Sequence, residues 1–219
     1  MYKNSFFLAL VWAIVISGLF FSTWQSFLSI NLNGDFVAQY KSIINENPSK
    51  ALKLKLYIEK NFPGLYKYWD KIVKAGEKYN VDPFLLAAII EHESNFQPTV
   101  VSYKNAIGIA QIIPSTAAMT ARRHGIKEYD LFNPSDNINL SAAHISDLEK
   151  DFPYEMYGGY AFIGGHLYRK SLIYRVAAYN AGSNAAIRWR SIGETNAYVP
   201  RVLSSYSKYR NIVGILNKI

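Results

Sequence analysis

The feature that most constrains the fold is a series of helix start and stop signals from residue 68 onward, with no convincing stretch of alternating apolar and polar residues. Asp82 and Pro83 have the residue types of a helix cap and a first helical position, and Asn80, Gly125 and Gly182 fit helix ends. The predicted helices are 68–80, 83–96, 114–124, 134–150, 172–181 and 199–219. We therefore expect a mainly α-helical chain with one domain at 68–219.

An uncharged apolar run occupies the N-terminal part of the chain. It reads FFLALVWAIVISGLFF from Phe6 to Phe21 and reaches about 19 residues at Trp24, or roughly 28 Å as a helix. The following STWQSFLSI offers no A-x-A-like cleavage site. Residues 1–24 are therefore predicted to be an uncleaved, single-pass transmembrane signal anchor, with Lys3 in the cytoplasm and the remainder of the chain translocated.

Residues 25–67 are mixed and polar, and are predicted to form a stalk or linker with helical content. Leu52, Leu56 and Glu59 recur at helical spacing, Ser49 is placed to cap the helix, and Pro63 with Gly64 is expected to stop it. The simplest expectation is a solvated amphipathic helix that packs on the domain.

Residues 152–170 differ in composition from the helical segments, because they contain two glycine pairs and four tyrosines. This insert is expected to be a long loop or a small hairpin between helices.

Composition excludes some classes of chemistry and leaves others open. The chain has no cysteine, so disulfides, thiolate metal sites and thiol nucleophiles are excluded. The net charge of +8 favours anionic surroundings such as nucleic acid, membrane headgroups or cell-wall polymer, without choosing among them. The histidines show no metal-ligand spacing with carboxylates, so we expect neither a metal nor another cofactor.

The stretch LLAAIIEHESNFQP places two carboxylates at the end of an apolar helix. Glu93 lies on the stripe of Leu86, Ile89 and Ile90, in the last helical turn, where burial and the helix dipole both raise a carboxyl pKa. Such a group can act as a general acid near neutral pH. Glu91 follows its own apolar neighbours in the same way, so periodicity does not select between the two.

Later segments break this tie through a family resemblance. Glu93-Ser94 is followed by GIAQ at 108–111, PSTA at 114–117, AYNAG at 178–182 and ETNAYV at 194–199. In this order they resemble the catalytic domain of the soluble lytic transglycosylases, which is similar to goose-type lysozyme, over roughly residues 68–209. The resemblance implies a lysozyme-like, all-helical catalytic domain with Glu93 as the catalytic acid.

The resemblance also implies roles for residues around the acid. Gln111 and the backbone near Ser102 would bind acetamido or hydroxyl groups, Tyr179 would lie beside the cleavage point, and Asn180 would support the helix end. The substrate-binding residues that it implies are Ser94, Ser102, Gln111, Thr116, Tyr179, Asn180, Glu194 and Tyr198.

Three positions depart from the family pattern. Asn105 stands where glycine is usual, Ala110 replaces a methionine that packs near the sugar in relatives, and His144 stands where tyrosine is frequent. The insert at 152–170 is also longer than the usual connection. These departures leave the acid intact and concern the shape of the substrate groove.

The implied reaction is non-hydrolytic cleavage of the MurNAc-β-1,4-GlcNAc bond of peptidoglycan, giving 1,6-anhydro-MurNAc ends. The motifs supply one obvious carboxyl, whereas hydrolysis of a glycoside uses two. The implied setting is the bacterial inner membrane, with the catalytic domain facing the periplasm and cell wall. Wall turnover and wall opening for secretion, conjugation or pilus machinery both suit such a form.

Three alternatives stay open from sequence alone. A lysozyme-type muramidase would hold a water with Asp130, Asp136 or Glu194. A non-catalytic glycan-binding component would tolerate loss of Glu93, although the intact Glu93-Ser94 pair disfavours it. A nucleic-acid partner is not expected, since the only suggestive basic tract is the tail at 201–219.

Overall fold

The computed structural model describes residues 47–216, with side chains through Ile212. Eight α-helices, one antiparallel hairpin and one 3₁₀ turn make up this part of the chain. In chain order they are α1 (Pro48–Asn61), α2 (Pro63–Tyr79), α3 (Pro83–Ser94), α4 (Pro114–Arg123), α5 (Pro134–Asp151), β1 (Tyr160–Ile163), β2 (His166–Arg169), α6 (Lys170–Ala181), α7 (Ser183–Ala186), the 3₁₀ turn (Trp189–Ser191) and α8 (Gly193–Leu216). The expectation of a mainly helical fold is confirmed.

Helix α3 is the central element, because its apolar residues point in every direction. All eight residues at 83–90 are buried, as expected of a helix that is hydrophobic all round. Helices α2 and α8 pack against it, and its end carries the polar residues toward the surface. The Asp82 carboxylate accepts from Phe84 N at 2.9 Å, so the predicted cap is present.

Helix α1 packs on the domain and belongs to its core, which agrees with the expectation of an amphipathic helix that packs on the domain rather than a separate stalk. Leu54 and Ile58 are buried in the core, whereas Leu52 and Leu56 are more than half exposed. Leu52 and Leu56, which the helical spacing placed on one face, therefore lie on the exposed side of α1, and the prediction that they form its apolar face was wrong.

The ends of α1 also differ from the prediction. The cap is Asn47, whose Oδ1 accepts from Lys50 N at 3.1 Å, rather than Ser49. Pro63 begins α2 directly after α1, because a proline is well tolerated in the first turn of a helix.

Helix α8 starts six residues earlier than the predicted start at residue 199. Pro200 therefore lies inside the helix rather than in its first turn. The insert at 152–170 contains the hairpin, with Tyr160 paired to Arg169 and Ile163 to His166, so the alternative of a small hairpin is confirmed.

No helix in the part of the chain at 47–216 is long and apolar enough to cross a membrane. The predicted anchor at residues 1–24 lies outside the described residues.

Candidate active site

Glu93 lies in the last turn of α3, where the buried helix reaches the surface. Its carboxyl is largely withdrawn from water, and burial is the main cause that raises its pKa from 4.5 to about 7. The nearby charge of Glu194 raises this pKa further, while a hydrogen bond from Tyr198 and the charge of Lys104 lower it. Glu93 can therefore be protonated or ionised near neutral pH.

Two tyrosines form the wall beside this carboxyl. The Tyr198 hydroxyl donates to Glu93 Oε1 at 2.7 Å from a side chain that is buried in α8. The Tyr179 hydroxyl, from α6, donates to the Ala110 carbonyl at 2.8 Å and lies 3.1 Å from Ser141 Oγ. Burial, and next the negative charge of Glu93, raise the pKa of both hydroxyls, so both stay protonated.

A second carboxylate, Glu194, begins α8 on the same side of the molecule. Lys104 Nζ lies 2.7 Å from Glu194 Oε2, and this hydrogen-bonded ion pair, together with a hydrogen bond from Asn180, lowers the pKa of Glu194. Asn180 Oδ1 also accepts from Thr195 Oγ1 at 2.7 Å. Glu194 is thus ionised and paired, while Glu93 is part-buried with a carboxyl largely withdrawn from water, so the two carboxyls have different chemistry.

The loop between α3 and α4 is held against the site by one buried amide. Asn137 is completely buried, its Oδ1 accepts from Ala110 N at 3.0 Å, and its Nδ2 donates to Ile107 O and Leu131 O at 2.8 Å each. Gly108 has φ +80°, and a Cβ there would lie 2.2 Å from Leu131 O. Only glycine fits at this position.

Gln111 lies in the same loop, and its amide nitrogen is used internally. Nε2 donates to Val100 O and Gly108 O at 2.9 Å each, and its backbone has φ +49°. The structure therefore gives Gln111 a role in fixing the loop, and a contact with a sugar would have to use its Oε1.

Internal hydrogen bonds occupy some of the predicted substrate-binding hydroxyls, namely those of Ser94 and Ser102, whereas Thr116 lies at the start of a helix. The buried Ser94 hydroxyl donates to Ile109 O at 2.5 Å and accepts from Gln97 N at 3.1 Å, so it joins α3 to the loop and is not free to bind a sugar. Ser102 Oγ accepts from Ala106 N at 3.1 Å. Thr116 lies partly buried in the first turn of α4.

The surroundings of Glu91 separate it from Glu93. Glu91 lies near Tyr209 in α8, where its negative charge, after burial, raises the pKa of the Tyr209 hydroxyl, so Glu91 faces this helix interface. His92 Nε2 lies 2.9 Å from Ser205 Oγ, and burial is the main cause that lowers its pKa. The structure thus distinguishes two carboxylates that periodicity could not.

The three departures from the family pattern have local explanations. Asn105 has φ +58°, a left-handed conformation that glycine and asparagine adopt most readily. The Ala110 side chain is fully buried. The His144 ring lies 5.6 Å from the Tyr179 ring and its pKa is lowered mainly by burial.

Sequence reasoning missed Lys104, Asn137 and Ser141 as parts of the site. Asn137 lies in the segment LFNPSDNI at 131–138, but no sequence pattern indicated that its amide would bind the backbone of Ile107, Ala110 and Leu131. Asp130 and Asp136 serve the same turn, where Asp130 Oδ1 accepts from Phe132 N and Asp136 Oδ2 from Asp130 N. Within residues 47–216, no three His, Asp or Glu side chains are grouped to hold a metal ion.

Known proteins are similar to this chain both in sequence and in fold. Residues 70–198 match the family model "Transglycosylase SLT domain". The chain is 29% identical over 157 residues to "Membrane-bound lytic murein transglycosylase C" of Histophilus somni, covering 68% of this chain and 40% of that protein. It is 29% identical over 190 residues to "Putative soluble lytic murein transglycosylase" of Haemophilus influenzae, covering 80% of this chain and 28% of that protein.

Two solved structures share the fold. They are the lytic transglycosylase Slt of Pseudomonas aeruginosa, at 25% identity, and the 70 kDa soluble lytic transglycosylase of Escherichia coli, at 26%. Each gives a TM-score of 0.55 and covers 67% of this chain and 24% of the other. The chain thus spans less than half of the relatives that it matches. With the family model matching more than half of its residues, the chain belongs to the transglycosylase SLT domain family.

Proposed function

We propose that this chain is a peptidoglycan lytic transglycosylase that cleaves the MurNAc-β-1,4-GlcNAc bond and leaves a 1,6-anhydro-MurNAc end. The observation that carries this proposal is Glu93, a carboxyl with a pKa of about 7 on the wall formed by Tyr198 and Tyr179. The names of its relatives support the same reaction class.

Glu93 acts first as an acid. Because Tyr198 donates to Oε1, the proton of the neutral carboxyl is best carried on Oε2, from which it passes to the glycosidic oxygen. The bond between C1 of the muramoyl residue and that oxygen breaks, and the leaving sugar departs with the proton. A pKa near the working pH is what general acid catalysis requires.

The same group then acts as a base. The Glu93 carboxylate takes the proton of the muramoyl C6 hydroxyl while O6 bonds to C1, which closes the anhydro ring and restores the acid. No water is consumed, so no second carboxylate is needed to activate one.

Glu194 is the residue that a hydrolytic alternative would use. It lies near enough to raise the pKa of Glu93, but it is paired with Lys104. We assign Glu194 and Asn180 to the groove wall, and Gln111, Ser102 and Thr116 to substrate contact. Ser94 positions the loop.

The test is the mass of the products from purified peptidoglycan. Anhydro products are about 18 Da lighter than hydrolytic ones, because no water is added. Glu93→Gln should lower the rate at least about a hundredfold, whereas the control Glu91→Gln should retain most of the rate because that side chain faces α8. Reducing-end products would establish the muramidase alternative, and equal losses in both variants would remove Glu93 from its role.

We further propose that residues 1–24 anchor the domain to the inner membrane, facing the cell wall. The apolar run and the name of the membrane-bound relatives support this location. The intact protein should resist carbonate extraction from membranes, and a form starting at Gln25 should be soluble and active. A mature N-terminus beyond Phe21 would show cleavage and overturn the anchor.

A further inference from the structure

A cavity of about 410 Å³ lies between the hairpin of the insert, helix α6 and the segment at 182–192. Its apolar lining comes from Ala161, Ile173, Tyr174, Ile187 and Trp189. Ala161 belongs to β1, so the insert that the sequence left without a role supplies one wall. No residue that lines the cavity belongs to the site around Glu93.

All the charged side chains that line this cavity are positively charged. Lys170, Arg188 and Arg190 line it, and no carboxylate does. None of the three takes part in an ion pair within the described residues, and the Arg190 guanidinium lies 5.1 Å from the Trp189 ring centre. The cavity therefore suits a ligand that carries carboxylates beside small apolar groups.

Helix α6 fixes how far the cavity lies from the catalytic wall. Ile173 lines the cavity and Asn180 contacts Glu194. They are seven residues apart, so they lie on one face of the helix and about 10 Å apart along its axis. An extended peptide advances about 3.3 to 3.6 Å per residue, so about three residues bridge this distance.

We propose that this cavity binds the acidic peptide that is attached to the glycan strand, while the sugar to which it is joined lies against Glu93. The proposal rests on the proposed function for the identity of the substrate. The peptide carboxylates pair with Arg188 and Arg190, and its methyl groups pack on Ile187 and Trp189. The cavity thereby favours strands that still carry their peptides.

Binding is measured first, with the inactive but intact Glu93→Gln protein. The probe is the free stem peptide released from purified peptidoglycan by an amidase, compared with the same peptide after amidation of its carboxylates, by isothermal titration calorimetry. We expect Arg188→Glu with Arg190→Glu to weaken binding of the unmodified peptide at least about tenfold, and amidation to weaken it similarly. Both arginines are exposed, so the fold should tolerate the change.

A matched control changes the same charge elsewhere. Arg122→Glu with Lys127→Glu reverses two exposed cations that do not line the cavity, and it should leave peptide affinity unchanged. Equal loss in both double variants would reduce the effect to net charge and overturn the proposal. Absence of peptide binding, or binding of anionic lipid vesicles in its place, would also overturn it.

Turnover gives the second measurement, on peptide-bearing strands and on strands stripped by an amidase. The intact protein should prefer peptide-bearing strands, and the cavity variant should lose about tenfold of that preference while the control variant keeps it. An unchanged preference in the cavity variant would refute the site. Absence of turnover on both substrates would refute the proposed function instead, and peptide binding would still decide the cavity.

Discussion

Replacing Glu93 by glutamine should stabilise the protein at alkaline pH and leave it nearly unchanged at acid pH. Burial raises the pKa of Glu93 from 4.5 to about 7. Below about pH 4.5 the carboxyl is protonated in the folded and unfolded states, so it costs nothing. As the pH rises toward 7, the unfolded chain releases this proton while the folded chain keeps it, and the free energy of unfolding falls.

The magnitude follows from the size of the pKa change. At about 1.4 kcal/mol for each pH unit, a rise from 4.5 to about 7 corresponds to about 3 kcal/mol at most. Glutamine never ionises, and its Oε1 can still accept from Tyr198. For a domain of this size, about 1 kcal/mol moves the melting temperature by about 2 to 4 °C, so we expect a gain of at least about 5 °C at pH 8.

The assay is thermal unfolding of both proteins between pH 4 and pH 8. The melting-temperature difference should be small at pH 4, grow between pH 4.5 and 7, and then stay level. Glu194→Gln is the opposing control, because the pKa of Glu194 is lowered, chiefly by its hydrogen bond from Lys104; it should bring no gain at pH 8. A melting-temperature difference between Glu93→Gln and the unchanged protein that is the same at pH 4 and pH 8 would refute a raised pKa for Glu93, because a hydrated carboxyl ionises without destabilising the fold.

Three further changes test the site. Tyr198→Phe removes the hydrogen bond that stabilises the ionised form of Glu93, so the pKa of Glu93 should rise. The alkaline limb of the pH profile of kcat/KM should then move up by about one pH unit, and a downward move would contradict this. Asn137→Ala leaves three backbone groups without their partner and should lower the free energy of unfolding by about 3 kcal/mol in urea titrations. Gly108→Ala brings a Cβ against Leu131 O and should lower both melting temperature and activity; wild-type values would show that the loop relaxes freely.

Most of the helices could be predicted because their signals are local. Asp82 with Pro83, Asn80 at a left-handed helix end, and the proline that begins α5 each act within one turn. The misplaced elements depended on distant contacts. The buried face of α1 is chosen by the helices that it packs on, and the early start of α8 is tolerated despite Pro200.

The candidate site also has one part that local sequence predicts and another that depends on contacts between distant residues. The withdrawal of Glu93 from water followed from an apolar helix that ends in polar residues, and the pKa of about 7 agrees with that expectation. Tyr198 was named from the resemblance alone, since the hydrogen bond to Glu93 joins residues 105 positions apart. The pairing of Lys104 with Glu194 spans 90 positions, a separation at which periodicity carries no information.

In the proposed mechanism a single carboxyl must give a proton and then take one, which limits how far burial can raise its pKa. A strongly buried carboxyl would remain protonated and fail as a base, whereas a hydrated one would be ionised at neutral pH and fail as an acid. The Tyr198 hydroxyl stabilises the ionised form and opposes the effect of burial, and Lys104 acts in the same direction. The charge of Glu194 acts against them, and its pairing with Lys104 limits that contribution. The residues around Glu93 therefore hold its pKa near the pH at which one group can perform both steps.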